Sequence, residues 1–420
     1  MSECVLHQAL SRAHERDSFT FPWARAGRRH GRMTDQMQVA AYFPIFFTDG
    51  WHAHTCLSIC QHLRSPGLAL ELHVPASDAS GRHPFVCEAV PPLLARAAYR
   101  LGPTTRLIGK VHRFRFRQAL KRANVAYFWA GTPEPVYRDA KAARVPIFVE
   151  RINCHRATAF RILDEAYRRA GLSLPAKHDL ASLEEERRKL ALADFIFAPS
   201  PLVRQSLLDE GHPPEKILSS SYGWSPERFR APSTPRAANA QTSFLFVGSV
   251  CIRKGAHLLL EAWEAAGAPG RLTLAGRLLQ EVRQVAGKQL ARPDVNARGH
   301  VSDVASAYAD ADVFVLPTLE EGSPLVVYEA MACGLPVLTT PMGAGEVVRD
   351  GVEGIVLDPY DGSAWVAALQ RLAGDPQLRA RLGAAGRERA QDYIWAKVAA
   401  RRRSLLEQAL AARTPRARTA

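Results

Sequence analysis

Two glutamates, Glu321 and Glu329, stand eight residues apart in the segment DVFVLPTLEEGSPLVVYEAMACGLP, residues 312–336. The apolar start of the segment predicts a buried strand, and the first glutamate follows that strand in a loop. Ser323 is favoured at an N-cap and Pro324 at the first position of a helix, so we expect a helix that carries the second glutamate. Two carboxylates beyond the carboxyl end of a strand could accept hydrogen bonds from a polyol, the first from a sugar and the second from a ribose. A capped surface helix with a solvated glutamate fits the same pattern.

Two adjacent cations follow another apolar strand in FLFVGSVCIRKG, residues 244–255. Gly248 and Ser249 form the turn, and Arg253 and Lys254 lie at the start of the next helix. In an open parallel sheet, ligands bind beyond the carboxyl ends of the strands, where a helix N-terminus offers unpaired N–H groups and the positive end of its dipole. Two cations at that point favour a diphosphate site, and a surface Arg-Lys pair on a turn gives the same pattern.

Alternating strands and helices must position these residues. In the first half of the chain, the pattern predicts strands at 38–43, 69–74, 124–129, 146–150 and 195–199, with helices at 52–63 and 201–210. In the second half, it predicts strands at 243–247, 272–275, 312–316 and 336–339, with helices at 256–266, 278–290, 324–333 and over most of 363–412. Strands separated by helices are typical of a parallel sheet that is covered on both faces.

The sequence therefore predicts an α/β protein with two tandem Rossmann-like, doubly wound domains and a cleft between them. The segment APSTPRAANA, residues 231–240, has no periodicity and is typical of a linker. The predicted segments are a poorly ordered N-terminal extension at 1–36, an N-terminal Rossmann-like domain at 37–230, the linker at 231–240, a C-terminal Rossmann-like domain at 241–395, a helix at 396–412 that packs back on the N-terminal domain, and a disordered tail at 413–420.

The composition of the 420 residues is that of a globular protein, with 47% hydrophobic and 23% charged residues, which excludes a disordered, collagen-like or coiled-coil chain. The sequence contains no apolar run long enough to predict a transmembrane helix. The seven cysteines are scattered and contain no C-x-x-C pair, so we expect a reduced, cytoplasmic compartment. The net charge of +14 favours an anionic partner such as a nucleic acid, a phosphorylated ligand or a membrane surface. An arginine-rich coding bias explains the charge equally well.

These motifs together resemble the retaining GT-B glycosyltransferases, specifically glycosyltransferase family 4. The two glutamates match the E-x7-E element of that family within EGSPLVVYEAMACGLPV. The resemblance continues through KLALADFIFAPSPLVRQSLLDEGHPPEKILSSSYGWSPERF (189–229), GHVSDVASAYADADVFVLP (299–317) and TTPMGAGEVVRDGVEGIVLDP (339–359). It is extensive in the C-terminal half of the chain and weakens upstream of about residue 145.

The resemblance implies that 37–230 is an acceptor domain and that 241–395 is a donor-binding domain, which holds most of a nucleotide-sugar donor. Arg253 and Lys254 would bind the diphosphate. Glu321 would be catalytic beside the donor sugar, and Glu329 would bind the ribose. The donor-binding residues that the resemblance implies are Gly248, Ser249, Arg253, Lys254, Arg277, His300, Val301, Gly322, Ser323, Pro324, Leu325 and Glu329, of which His300 and Val301 would lie near the base.

Two residues depart from the family pattern. Ser249 stands where many members have an arginine, a charge that Arg253 could supply, and Pro324 stands where a small glycine is common, which removes one N–H donor. The family implies same-face attack without a protein nucleophile, in which the acceptor hydroxyl passes its proton to the leaving phosphate. It also implies no cofactor and no metal. Asp310 and Asp312 spell the D-x-D of metal-dependent transferases, but they fall at a predicted helix end and strand start, so we expect no metal role.

In the N-terminal domain, the family often has a histidine after a strand near the donor sugar and a glycine-rich loop that faces the diphosphate. His155 in PIFVERINCHRA, residues 146–157, is the catalytic candidate for the first role, and Gly50 is the candidate for the second. Glu150 and Asn153 could contact donor or acceptor. A histidine that is packed, or exposed in a loop, is the alternative for His155.

Residues 110–122, KVHRFRFRQALKR, contain six Lys or Arg and no acidic residue, with Phe114 and Phe116 between the arginines. The pattern is typical of a patch that meets an anionic membrane surface or lipid phosphate. A solvated helix face with two anchoring aromatics is the alternative. No recognised nucleic-acid module surrounds the patch, so we expect no nucleic-acid partner. We therefore expect a cytoplasmic protein, with the patch favouring a peripheral position on the inner face of the membrane.

The function that the resemblance implies is transfer of a sugar, with retention, from a nucleotide-sugar donor to a glycan or lipid-linked acceptor in cell-surface polysaccharide or glycolipid synthesis. A non-catalytic nucleotide-sugar binding protein on the same fold is the first alternative. A Rossmann-type oxidoreductase is the second. Its support is the pair Gly343 and Gly345, but Val348 stands where G-x-G-x-x-G has its third glycine.

Overall fold

The computed structural model describes residues 36–47, 51–78, 83–95, 105–176, 179–230 and 241–413. Residues 1–35, the predicted linker at 231–240, residues 414–420 and Gly50 lie outside this part of the chain. The described residues form two parallel sheets within one compact unit that begins at Met37. Two tandem, doubly wound α/β domains are therefore present, as the alternation of strands and helices predicts.

In the described residues, seven strands form the first sheet: β1 (Met37–Tyr42), β2 (Leu68–Val74), β3 (Val86–Glu88), β4 (Val125–Phe128), β5 (Ile147–Glu150), β6 (Phe195–Ala198) and β7 (Ile217–Ser219). They are all parallel and lie in the order β3-β2-β1-β4-β5-β6-β7. The helices of this half are α1 (Trp51–Leu63), α2 (Thr105–Leu120), α3 (Glu134–Ala142), α4 (Arg156–Arg169), α5 (Leu180–Leu192) and α6 (Pro201–Asp209).

The central strands bury both faces, because successive side chains of a strand point to opposite sides. Val39 and Ala41 pack with Tyr127 in the apolar layer that contains α1. Ala40 and Ala126 pack in the opposite layer, which contains α2 and α3. Burial on both sides explains why these strands read as continuous apolar runs rather than as alternating patterns.

The second sheet is built in the same way. Its strands in the described residues are β8 (Ser243–Val247), β9 (Arg271–Ala275), β10 (Val295–Gly299), β11 (Val313–Leu316), β12 (Val337–Thr339) and β13 (Gly354–Val356). They are parallel, in the order β10-β9-β8-β11-β12-β13. The helices are α7 (Ala256–Ala265), α8 (Gln280–Leu290), α9 (Val304–Ala309), α10 (Leu325–Ala332), α11 (Pro341–Ala344), α12 (Gly362–Gly374), α13 (Pro376–Ala390) and α14 (Trp395–Arg413).

The sequence-based prediction missed several strands at the edges of the sheets. β3, β7 and β13 contain three residues each, which is too short for a periodic pattern. β10 has the sequence VNARG and is largely exposed, so it lacks the apolar run that marks the central strands. In the described part of the chain, no helix combines the length and the apolar character that a membrane-spanning segment requires.

The last helix, α14, returns to the N-terminal half and packs against α1. The chain crosses back beside Trp224, whose backbone N–H donates to the carbonyl of Tyr393 at 3.1 Å and whose indole N–H donates to the carbonyl of Ala390 at 2.7 Å. Arg402 on α14 forms a buried ion pair with Glu150 at the end of β5. The final helix therefore completes the core of the first domain.

Candidate active site

A cavity of about 580 Å³ lies between the two domains. It is found where β1, β4 and β5 end in the first sheet and where β8, β9 and β10 end in the second, the edge at which open α/β sheets bind ligands. Its lining residues are Phe43, Ile45, Thr55, Trp129, Ala130, Ile152, Asn153, Tyr222, Val247, Gly248, Ser249, Arg253, Lys254, Ala275, Gly276, Arg277, His300, Val301, Val304, Glu321, Ser323, Pro324, Leu325 and Val326. All the predicted donor-binding residues line it except Gly322 and Glu329.

Two glycines bring the turns after β8 and β9 together at the cavity. The N–H of Gly248 donates to the carbonyl of Ala275 at 2.9 Å. Gly276 has a φ of +154°, and a Cβ at this position would lie 1.8 Å from the carbonyl oxygen of Gly248. Only glycine fits so close to a neighbouring backbone. The two turns therefore present bare backbone to a ligand, with Ser249 and Arg277 beside it.

The predicted pair of cations lies at the cavity, and both members are already paired with carboxylates. Lys254 is buried, and its ammonium group contacts the carboxylate of Glu321. Arg253 Nη1 lies 3.4 Å from Glu321 Oε2 and donates to the carbonyl oxygen of Glu320 at 2.9 Å. Burial and the neighbouring Arg253 lower the pKa of Lys254 to about 7. A ligand that brings negative charge to this point would favour the protonated lysine.

Glu320, which sequence reasoning did not assign to the site, ties the two domains together. Its side chain is 2% exposed, Oε2 accepts a hydrogen bond from Asn153 Nδ2 at 2.7 Å, and Oε1 accepts one from the backbone N–H of Cys154 at 3.3 Å. Beside it, a Cβ on Gly322 would lie 2.0 Å from the carbonyl oxygen of Ile152, so this approach requires glycine. The loop after β11 thus lines the cavity with some of its residues and contacts the N-terminal domain with others.

Helix α10 begins at Leu325, and its N-cap is Pro324. The prediction that Ser323 is the N-cap is therefore wrong. The backbone of Pro324 is extended, with φ −71° and ψ 118°, and the hydroxyl group of Ser323 lies 2.6 Å from the hydroxyl group of Tyr328 instead of capping the helix. No described side chain caps α10, and Leu325 and Val326 of its first turn line the cavity. Their N–H groups and the positive end of the helix dipole suit an anionic ligand.

Glu329 lies one turn further along α10 and does not line the cavity. Its side chain is buried, and Oε2 accepts a hydrogen bond from the hydroxyl group of Tyr308 at 2.9 Å. Burial raises the pKa of Glu329 to about 7. The structure therefore shows a shielded carboxyl group held by a tyrosine, where the family pattern implies a group open to a ribose.

We expect the stability of the Glu329→Gln variant, relative to that of the parent, to increase as the pH rises from about 5 to about 8. Burial raises the pKa of Glu329 to about 7, and the pKa of a glutamate in an unfolded chain is about 4.3. Between these values the folded parent binds more protons than the unfolded parent, so its stability falls as the pH rises, whereas glutamine does not titrate. Over this pH range, the unfolding free energy of the variant should therefore increase by roughly 2 kcal/mol relative to that of the parent.

Denaturant unfolding at the two pH values measures this difference. Glu264→Gln, on an exposed part of α7, makes the same chemical change at the surface and serves as the control. A stability difference between Glu329→Gln and its parent that is the same at both pH values would contradict the raised pKa.

His155 is not where the family pattern implies. Its side chain is completely buried and does not line the cavity. It is the N-cap of α4, where Nδ1 accepts a hydrogen bond from the N–H of Ala157 at 3.3 Å, and Nε2 lies 3.4 Å from Glu186. Burial lowers the pKa of His155 to about 4. The histidine begins a helix, so the alternative of a packed histidine describes it, and the catalytic assignment is wrong.

Other residues of the N-terminal domain form the wall opposite the donor-binding loops. Asn153 lines the cavity, whereas Glu150 is buried against Arg402. Phe43 and Trp129 follow β1 and β4, and Tyr222 follows β7. The positions of Phe43 and Trp129 directly after apolar strands are the signal that could have identified these two residues. Gly50 lies outside the described residues.

The family model that matches this chain covers part of its C-terminal domain. Residues 241–375 match the family model described as Glycosyl transferases group 1. The D-inositol 3-phosphate glycosyltransferase of Xylanimonas cellulosilytica is 34% identical over 185 residues, 41% of this chain and 43% of that protein. The protein of the same name from Thermobispora bispora is 30% identical over 251 residues, 54% of this chain and 58% of that protein. The chain spans about half the length of these curated relatives.

Solved structures extend the comparison to both domains. Sucrose-phosphate synthase from Thermosynechococcus elongatus has a TM-score of 0.67 at 20% identity and covers 90% of this chain and 100% of its own. Anabaena HepE in complex with UDP and glucose has a TM-score of 0.65 at 16% identity, and the match covers 89% of this chain and 100% of the HepE chain. At these identities the likeness concerns the fold. The chain has the GT-B fold that the resemblance implies, and its C-terminal part is a Glycosyl transferases group 1 domain.

Proposed function

We propose that this chain is a glycosyltransferase of family 4 that moves a sugar, with retention of the anomeric configuration, from a nucleotide-sugar donor to a glycan or lipid-linked acceptor. The observation that carries the proposal is the convergence of Arg253, Lys254, Glu321 and the first turn of α10 on one cavity. These groups belong to the domain that matches Glycosyl transferases group 1. Cations and a helix N-terminus suit a diphosphate leaving group. A carboxylate suits the sugar, which becomes positively charged as the diphosphate departs.

The proposed donor is a uridine nucleotide sugar. Structures of HepE with the same fold contain UDP or UDP-glucose. In this chain the diphosphate would bind between Arg253 and the N–H groups of Leu325 and Val326. Arg277 and His300 line this cavity and also an adjoining one of about 560 Å³, which leaves room for the nucleoside.

The proposed reaction breaks the bond between the anomeric carbon and the phosphate oxygen, and forms a bond from the acceptor oxygen to the same face. The acceptor proton passes to the leaving phosphate oxygen, so no protein nucleophile is needed. Arg253, Lys254 and the backbone donors of α10 would stabilise the negative charge on the leaving group. The Glu321 carboxylate would stabilise the positive charge that develops on the oxocarbenium-like sugar.

Metal-independent transfer is part of the proposal. The D-x-D sequence lies before β11, whereas the cavity lies beyond the carboxyl ends of the strands. Asp312 Oδ2 accepts a hydrogen bond from the backbone N–H of Ser243 at 2.8 Å, so this carboxylate helps to join two strands. The cations of the protein are the groups proposed to replace a metal at the diphosphate.

The proposed acceptor is a glycan or glycolipid of the cell surface. Phe43, Ile45 and Trp129 give the N-terminal side of the cavity an apolar and aromatic wall. Two structures with the same fold are described as a lipopolysaccharide outer core galactosyltransferase, WaaB, and as WaaG, a glycosyltransferase involved in lipopolysaccharide biosynthesis. Lipopolysaccharide is a glycolipid, and an apolar and aromatic wall suits an acceptor of this class.

A transfer assay with the full chain tests the proposal. UDP-glucose, UDP-galactose and UDP-N-acetylglucosamine are supplied with glycan and lipid-linked acceptors in the presence of EDTA, and UDP release and the anomeric configuration of the product are measured. We expect an α-linked product from an α-linked donor. The Arg253→Ala/Lys254→Ala double variant serves as the inactive reference. A β-linked product would exclude retention, binding of the donor without release would favour a nucleotide-sugar binding protein, and bound NAD would favour an oxidoreductase.

A membrane surface is the further partner that we propose, and α2 provides the surface. Phe116 is fully buried, whereas Phe114 is 61% exposed, so one aromatic anchors the helix and the other faces solvent. Leu107, Lys110 and Phe114 are exposed with the helical spacing of one outer face. A face that combines apolar and basic side chains is typical of helices that lie on anionic lipid.

We expect the protein to pellet with anionic liposomes at low salt and to be released at high salt, because salt screens exposed charges. The Leu107→Ala/Phe114→Ala double variant should reduce the pelleted fraction severalfold. Leu180→Ala, which removes a leucine that is 78% exposed on α5, should leave that fraction unchanged. Equal pelleting with neutral and anionic liposomes would favour the solvated helix face instead.

A further inference from the structure

A second cluster of chemically reactive side chains lies at the edge of the first sheet. Glu71 and His73 lie two residues apart on β2 and therefore point to the same face. Cys87 on the edge strand β3 is the register partner of His73. The structure thus brings a carboxylate, an imidazole and a thiol together on one face of two neighbouring strands.

The ligand atoms of these three side chains all lie within 4.8 Å of one another. His73 Nε2 is 3.3 Å from Glu71 Oε2. In a tetrahedral zinc site, metal–ligand distances of about 2.0–2.3 Å place the ligand atoms about 3.3–3.8 Å apart. The exposed Glu71 side chain and the half-buried Cys87 side chain would have to rotate to reach this spacing.

The imidazole of His73 points into this cluster. The residue is 6% exposed, and its buried Nε2 lies 3.3 Å from Glu71 Oε2 without a partner in full hydrogen-bond geometry among the described residues. Buried polar atoms of native proteins are normally satisfied, so such an atom needs an explanation. The unsatisfied nitrogen faces the carboxylate of Glu71, which is the direction of the cluster.

We propose that Glu71, His73 and Cys87 form a binding site for one Zn²⁺ ion, with water as the fourth ligand. Imidazole nitrogen, thiolate sulfur and carboxylate oxygen are the three ligand types that zinc takes from proteins. His73 binds as the neutral imidazole through Nε2, with its proton on Nδ1. Cys87 binds as the thiolate and releases its proton to solvent. The Arg122 guanidinium, 3.9 Å from Glu71 Oε1, leaves Oε2 for the metal.

This site is separate from the proposed transfer chemistry. The three residues do not line the cavity between the domains. Their place in the fold indicates a structural role, because β3 contains three residues and pairs with β2 at the edge of the sheet. A metal bound to both strands would fasten the short edge strand to the sheet, so its loss should affect stability more than sugar transfer.

The test is a titration of the purified full chain with ZnCl₂ in competition with a chromophoric chelator, followed by replacement with Co²⁺. We expect one tight Zn²⁺ per chain, a rise in melting temperature with Zn²⁺, and a thiolate-to-cobalt charge-transfer band. Cys87→Ser and Glu71→Gln change partly exposed side chains, so both variants should fold. Both should bind Zn²⁺ at least tenfold more weakly than the parent, and Cys87→Ser should also abolish the charge-transfer band. Glu88→Gln and His83→Gln change neighbours outside the cluster and should bind like the parent.

The proposal is overturned if the parent binds no Zn²⁺ at equimolar concentration, or if Cys87→Ser and Glu71→Gln bind as tightly as the parent. A cobalt spectrum without the charge-transfer band would exclude the thiolate ligand and contradict the site as proposed. All these measurements are made without a sugar donor, so their result is independent of the transfer assay.

Discussion

Replacing Glu321 with glutamine should reduce the rate of sugar transfer by about a hundredfold to a thousandfold, with UDP affinity changing by less than about threefold. Glu321 lines the cavity beside Lys254 and Arg253. Glutamine keeps the size and one acceptor oxygen of the side chain but removes its charge. The charge is needed most when the sugar becomes cationic, so its loss should act on the transition state rather than on the bound nucleotide.

Steady-state kinetics with the best donor of the UDP-sugar panel, together with calorimetric UDP affinity, measure the two quantities separately. Glu264→Gln on α7 is the matched control and should keep parental kinetics. Full transfer activity in a folded Glu321→Gln variant would remove the residue from the chemistry. A large loss of melting temperature without a loss of turnover would instead identify Glu321 as a structural partner of Lys254.

The largest expected effect on stability comes from Arg402. Its side chain is 1% exposed, Nη1 donates to Glu150 Oε2 at 2.6 Å, and Nη2 donates to Glu150 Oε1 at 3.1 Å and to the carbonyl of Ser221 at 2.9 Å. Arg402→Met removes the guanidinium but keeps much of the apolar volume. The carboxylate of Glu150 then keeps the hydrogen bond from the Tyr127 hydroxyl group but is buried without its charged partner, and we expect the variant to lose about 3–5 kcal/mol of unfolding free energy.

Denaturant unfolding followed by far-UV circular dichroism measures this loss. The Glu150→Leu/Arg402→Met double variant removes both charges, so it should recover much of the stability that the single variant loses. Arg403→Met, one position further along the same helix, is the control and should lose far less. Equal stabilities of the single and double variants would show that the ion pair itself contributes little.

The sequence was most informative where burial and backbone chemistry leave a local signal. The two-sided burial of β8 and β11 appears directly as FLFV and VFVL, and the cations after β8 lie at the cavity. The position of Glu321 also follows from local order, because a loop that leaves the carboxyl end of a central strand must face the ligand edge of the sheet. These features depend on residues that are close together in the chain.

The remaining features depend on residues that are far apart. Glu320 and Glu321 are chemically identical neighbours, and only the position of Asn153 in the other domain decides which carboxylate bridges the cleft. His155 follows a strand as the family pattern expects, but helix α4 begins directly after it and buries the ring as an N-cap. The spacing of residues along the sequence does not predict either of these tertiary contacts.

The closure of the first domain by α14 sets the order in which the chain can fold during synthesis. Glu150 and Arg402 lie 252 positions apart, so the ribosome has made almost the entire second domain before the partner of Glu150 appears. Domains usually fold as units, starting from the N-terminus. Here, Glu150 and the apolar face of α1 remain uncovered until α14 has been synthesised. A nascent chain halted after the second sheet would therefore expose this face to chaperones, and its first domain would mature last.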